Sequence, residues 1–185
     1  MSDFRFALTD DEKAYLKKLV VQSIAFGFDP AGGPFGPPEP PTDTLREELG
    51  AFVTIKLDGH LRGCIGNVQG SGELFRTVWD MARNAAFKDP RFPPLNEQEF
   101  QVIEYEISIL SPIDICPDPQ LIEVGRHGLV MSRDGRSGLL LPQVPVEWQW
   151  DRDTFLGQTC VKAGLPRDAW KEPETTILWF EAVVF

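Results

Sequence analysis

Histidine and cysteine are scarce in this chain: two of the first, His60 and His127, and three of the second, Cys64, Cys116 and Cys160, in 185 residues. Cysteines so scattered build no disulfide framework, and no Cys-x-x-Cys or His-x-x-x-His spacing offers a zinc ligand set, so no metal and no cofactor are expected. Positive charge is short as well. Lys and Arg number 18 against 28 Asp and Glu, a net charge of −10, which opposes binding by phosphate neutralisation and argues against a nucleic-acid partner. No stretch reaches the roughly 18 apolar residues of a membrane-spanning helix, and Met1 to Phe6 lacks the apolar core of a signal peptide. The expectation is a cytoplasmic protein without membrane contact. Gly66, Gly70 and Gly72 are followed by no Lys-Ser or Lys-Thr at phosphate-loop spacing.

Apolar residues are plentiful, at 42% with 11% aromatic, which suffices for a buried core in one domain spanning 1–185. Thr9-Asp10-Asp11-Glu12 has the form of a capping box, and Tyr15, Leu16, Leu19, Val20 and Ile24 follow at helical spacing, predicting a first helix to about Phe26. Residues 29–42 are crowded with proline and glycine and form an exposed loop. Val53, Ile55 and Leu57 alternate with polar residues, and Asp58-Gly59 signals a tight hairpin between strands Ala51 to Leu57 and His60 to Gly66. Ser71 is placed to cap a helix to Phe87, with Phe75, Val78, Trp79, Ala82 and Ala86 on one stripe and Asp89-Pro90 as its stop. Phe100 to Leu110 alternates as a strand, with Glu104 and Glu106 on one face.

A second hairpin is expected around Leu129 to Met131 and Gly138 to Leu141, turning through Asp134 to Ser137. Asp151 caps a helix bearing Phe155, Leu156 and Cys160 that ends at Gly164, and Thr176 to Phe185 closes the chain as a strand. Hairpin-joined strands with irregularly interspersed helices give an α+β class: a mainly antiparallel sheet flanked by helices. The five tryptophans, without a basic track beside them, read as core and interface anchors.

Leu61-Arg62-Gly63-Cys64-Ile65-Gly66 resembles the signature of the AMMECR family. Asp89-Pro90-Arg91-Phe92, Ile107 to Pro112, His127-Gly128-Leu129, Leu140 to Val144 and Lys162 to Leu165 resemble further family segments in the same order. The resemblance implies a larger and a smaller lobe with a cleft between them that holds the Arg-Gly-Cys segment. It also implies association with Memo-like and radical S-adenosylmethionine proteins, the set called AmmeMemoRadiSam. It supplies no settled reaction.

Within these segments Cys64 is the candidate nucleophile. Arg62 and an imidazole, His127 before His60, are placed to favour its thiolate, and Glu106 to orient the histidine or act as acid or base. Arg62 and Arg91 suggest a small anionic ligand, Gly63 and Gly66 allow close backbone approach, and the resemblance adds Gln143 to the binding residues. Each has a plainer reading. Cys64 is then a small core residue, His127 caps a turn, Glu104 and Glu106 are a solvated strand face, and Arg91 pairs with Asp89. Two functions follow from these alternatives: a cysteine-centred enzyme or enzyme component in a modification pathway, and a non-catalytic adaptor whose 29–42 segment docks in polyproline form.

Overall fold

The computed structural model describes residues 7–29 and 36–185. Residues 30–35 of the proline-rich segment, and the first six residues on which the signal-peptide reading rests, lie outside the described residues. The chain divides into two compact units: the described residues through Leu110 together with Val183–Phe185, and Ser111–Ala182. Each combines antiparallel strands with helices, an α+β fold. No helix among the described residues is long and apolar enough to cross a membrane.

In the first unit, helix α1 (Asp10–Phe28) opens on the expected capping box, with Glu12 N donating to Thr9 Oγ1 at 3.2 Å and Thr9 N to the Glu12 carboxylate at 2.8 Å. Two donors otherwise left over at a helix start are thereby satisfied. Its stripe of Leu16, Leu19, Val20 and Ile24 is fully buried. The Glu12 side chain also accepts from Thr42 Oγ1 at 2.5 Å, and Tyr15 Oη donates to Pro38 O at 2.6 Å. The far end of the proline-rich segment is therefore held against α1.

Strands β1 (Ala51–Leu57) and β2 (His60–Asn67) turn through Asp58 and Gly59, whose φ values of 50° and 75° make the left-handed pair that matches strand twist. Helix α2 (Leu74–Phe87) buries the whole predicted stripe. It starts two residues later than a cap at Ser71 predicts. Glu73 stands at the cap, while the Ser71 hydroxyl accepts from Asn67 Nδ2 at 3.3 Å and so has another task. The strand predicted from Phe100 also starts late. Asn96 and Glu99 form a second capping box for a one-turn helix, α3 (Glu97–Phe100), and β3 runs only from Glu104 to Leu110. β1 lies between β2 and β3, and Ile107 of β3 exchanges hydrogen bonds of 3.0 and 3.1 Å with Phe185 at the chain's end.

Val53, Ile55, Ile107 and Ile109 face α1 and α2 and form one core with them. Since strand side chains alternate, the intervening residues Thr54, Cys64 and Glu106 share the face turned away from those helices.

The second unit is built on β4 (Asp114–Ile115), β5 (His127–Arg133), β6 (Arg136–Leu140) and, as far as Ala182, β7 (Thr176–Val184), in the order β4-β7-β5-β6. The predicted second hairpin is present with a shorter turn. Asp134 and Gly135 alone turn the chain, at φ 51° and 75°, so Arg136 and Ser137 join the ladder opposite Arg133 and Ser132. A short helix, α4 (Gln143–Glu147), precedes α5 (Arg152–Lys162). Asp151 caps α5 by accepting from Thr154 N at 2.8 Å, and Gly164 follows it with φ 72°, both as read from the sequence. Phe155, Leu156 and Cys160 pack with Leu129, Met131 and Trp179. Trp148 departs from the expected core role, being 68% exposed and stacked on Trp150 at 6.1 Å.

Candidate functional site

Cys64 sits near the middle of β2, opposite Thr54 of β1, which in turn stands opposite Glu106 of β3. The three side chains form a polar row across three strands. Thr54 Oγ1 and Cys64 Sγ are 3.2 Å apart, and either can donate to the other. Lys56 Nζ lies 3.7 Å from Glu106 Oε2, a diagonal neighbour on the same face.

Among the described residues β2 borders no strand on its far side, so every second residue there has an N–H and a C=O without a ladder partner. At Cys64 the loop after α2 supplies both partners. Asp89 Oδ2 accepts the Cys64 N–H at 2.8 Å, and Arg91 Nη2 donates to the Cys64 carbonyl at 3.3 Å. Arg91 grips Asp89 side-on, Nε to Oδ1 at 2.9 Å and Nη2 to Oδ2 at 2.7 Å, which is the ion pair read from the sequence. Asp89 is buried and its carboxyl is held well below the usual carboxylate range, first by the Arg91 guanidinium. Arg91 is half exposed, and its Nη1 has no hydrogen bond among the described residues.

Burial pushes the half-buried Cys64 thiol up from its ordinary value. The Thr54 hydrogen bond and the Arg91 charge act in the opposite direction, while the charges of Asp89 and Glu106 add to the rise. At rest this is a protonated thiol. Arg62 is committed elsewhere. Its Nε and Nη2 meet the two carboxylate oxygens of Glu99 at 2.9 and 2.8 Å, and Nη1 donates to Pro93 O at 2.9 Å. Those contacts fasten the loop before α3 to β2.

The two glycines beside Cys64 are filled from within. A Cβ on Gly63 would lie 2.2 Å from the Ala85 carbonyl of α2, and one on Gly66 would lie 2.2 Å from the Phe52 ring. Gly63 thus serves the close packing of helix on strand, and the space at Gly66 belongs to Phe52. His60 stands exposed at the hairpin.

His127 opens β5 in the second unit and is 2% exposed. Its Nδ1 accepts from Glu123 N at 3.0 Å and its ring lies 4.5 Å from that of Trp179. Burial lowers its pKa, so the imidazole is neutral with the proton on Nε2. These contacts are those of the turn-capping reading. Gln143 opens α4, half-buried. Cys116 and Cys160 are buried with thiols pushed up by burial. Among the described residues no group of three His, Cys, Asp or Glu side chains is placed to hold a metal ion.

Thr54 and Asp89 are the two site residues that sequence reading passes over. Thr54 reads as one polar residue in an alternating strand, and Asp89 as a helix stop and ion partner.

These features define a class: an α+β protein with a cysteine strapped into a sheet edge by an Asp-Pro-Arg segment. The AMMECR1 family matches residues 19–185, and the chain belongs to that family. It is 42% identical to the protein MK0488 of Methanopyrus kandleri over 96% of this chain and 89% of that one. A protein of Thermococcus gammatolerans is 45% identical over 80% of this chain and 78% of its own length. The crystal structure of the uncharacterized protein PH0010 from Pyrococcus horikoshii superposes with a TM-score of 0.86 at 37% identity, covering 96% of this chain and 92% of that one.

Proposed function

We propose that this chain is a thiol-dependent enzyme component whose chemistry is carried by Cys64. The observation behind this reading is the row Cys64, Thr54, Glu106, with thiol and hydroxyl 3.2 Å apart. In the step proposed, Cys64 S–H donates to Thr54 Oγ1 while Thr54 O–H passes its proton to the Glu106 carboxylate. The sulfur lone pair then forms a bond to an electrophilic carbon of the substrate, whose leaving group departs with its bonding electrons. Glu106 takes the base role in place of His127, whose contacts are those of a buried cap. Arg91 offers Nη1 to an anionic group of the substrate, because the donors of Arg62 are taken by Glu99 and Pro93. The family resemblance supports a modification pathway shared with Memo-like and radical S-adenosylmethionine proteins.

Iodoacetamide labelling of each cysteine across pH, read by peptide mass spectrometry, tests the reading. Native Cys64 should label ahead of Cys116 and Cys160, and Glu106→Gln or Thr54→Val should slow it. If Glu106→Gln instead speeds labelling, Glu106 is only a charge that opposes the thiolate, and the relay is wrong. A rival reading as a non-catalytic binding module draws on the burial that raises the Cys64 thiol. Under it, Cys64→Ser folds and keeps full function in cells.

A further inference from the structure

We propose that Asp89 is a positioning residue: by holding Cys64 N–H and the side of the Arg91 guanidinium at once, it fixes Arg91 Nη1 as an anion donor at the strand edge whose backbone carries Cys64. This rests on Cys64 being the reacting group.

A guanidinium has five N–H donors in a rigid plane. Asp89 takes Nε and one edge of Nη2, and the Cys64 carbonyl takes Nη2 again. With that edge fixed on both sides the plane is held, and Nη1 is the guanidinium nitrogen left without a hydrogen bond among the described residues, on a side chain that is half exposed. A carboxylate buried to 5% exposure, accepting one hydrogen bond from the strand that carries the thiol, is a stiff mount for such a group. The ligand class that fits is a carboxylate or phosphate attached close to an electrophilic carbon.

A positioning role and a bystander charge predict opposite signs, which makes the inference testable with two small reagents. Iodoacetate and iodoacetamide react alike: the Cys64 thiolate forms an S–C bond, the C–I bond breaks, and iodide leaves with the electron pair. They differ in the carboxylate that Arg91 would hold. The quantity measured is the rate ratio of iodoacetate to iodoacetamide at Cys64, relative to the same ratio in the unfolded chain. It should favour iodoacetate by about threefold, the size of a solvent-weakened ion pair, and Arg91→Gln should abolish that preference. Asp89→Asn should abolish it too, because Arg91 loses its mount, although removing a nearby negative charge would by itself favour the anionic reagent.

If Asp89→Asn raises the ratio or leaves it unchanged, Asp89 does not position Arg91. Arg91→Lys, which keeps the charge and loses the side-on grip, provides a second variant should Asp89→Asn fail to fold, and a ratio equal to that of the unaltered chain would overturn the inference. Native Cys64 that labels with neither reagent overturns this inference and the thiol reading together. Labelling that proceeds with an unaffected ratio overturns this inference alone.

Discussion

Arg62 and Glu99 face each other fork to fork, Nε on Oε1 at 2.9 Å and Nη2 on Oε2 at 2.8 Å, with only 11% and 21% of the two side chains exposed. Such a pair resists removal of one partner more than its net worth suggests, since the other charge is left half-desolvated. Arg62→Lys keeps the charge but loses the fork and the Pro93 carbonyl, and should cost about 1–2 kcal/mol. Arg62→Ala should cost more, about 3 kcal/mol. Urea unfolding of the two variants beside the unaltered chain measures both.

Gly63 and Gly135 separate two reasons for glycine. At Gly63 a Cβ would meet the Ala85 carbonyl at 2.2 Å, an obstacle of backbone that cannot rotate away. Gly63→Ala should therefore destabilise by roughly 3 kcal/mol or prevent folding, by overpacking α2 against β2. Gly135 has open space around it and a φ of 75°. Gly135→Ala should cost only about 1 kcal/mol, the conformational penalty of a left-handed turn. Thermal melting of the two proteins should rank them in that order.

The buried Glu12 carboxylate joins Thr9 and Thr42, thirty-three residues apart in sequence. Thr9→Ala removes a helix cap and should cost about 1 kcal/mol. Glu12→Ala removes the acceptor of both hydroxyls and should cost about 2–3 kcal/mol. Proteolysis of the native protein, read at the proline-rich segment, should accelerate in the second variant more than in the first.

Two pH windows follow from groups shifted in the same direction. His127 has a pKa lowered first by burial, so as pH falls below about 6.5 the unfolded chain takes up the proton before the folded one does. Its contribution is complete above that value and is lost as pH falls toward the folded pKa. Asp89 is lowered first by its bond to Arg91, so its contribution is complete above about 3.9 and is lost in stronger acid. Denaturant midpoints from pH 8 to pH 3 should thus fall in two stages. In His127→Asn the first stage should vanish and the second remain.

Local chemistry carried most of the legible structure. The left-handed pair at Asp58 and Gly59, the cap at Thr9 and the stripe of α2 each depend on residues within a few positions of one another. The start of α2 was misread because Ser71, a good cap by type, bonds to Asn67 instead. The strand at Phe100 was overextended because the Asn96 and Glu99 box competes with alternation and wins. At the site, Cys64, Arg91 and Glu106 were legible as chemistry-bearing types. What joins them was not: Asp89 reaches Cys64 across 25 positions and Arg62 reaches Glu99 across 37. Contacts of that span depend on which loop lies along which strand, which alternation and capping do not encode.

The strap at Cys64 also bears on how copies of the chain meet one another. An unpartnered strand edge is a template on which a second chain can lay down its own backbone, and β2 would be such a template were its middle not occupied by a carboxylate and a guanidinium. Charged groups bound there do what a neighbouring strand would do without presenting a further edge beyond them. The Asp-Pro-Arg loop is thereby also a guard on the edge of β2.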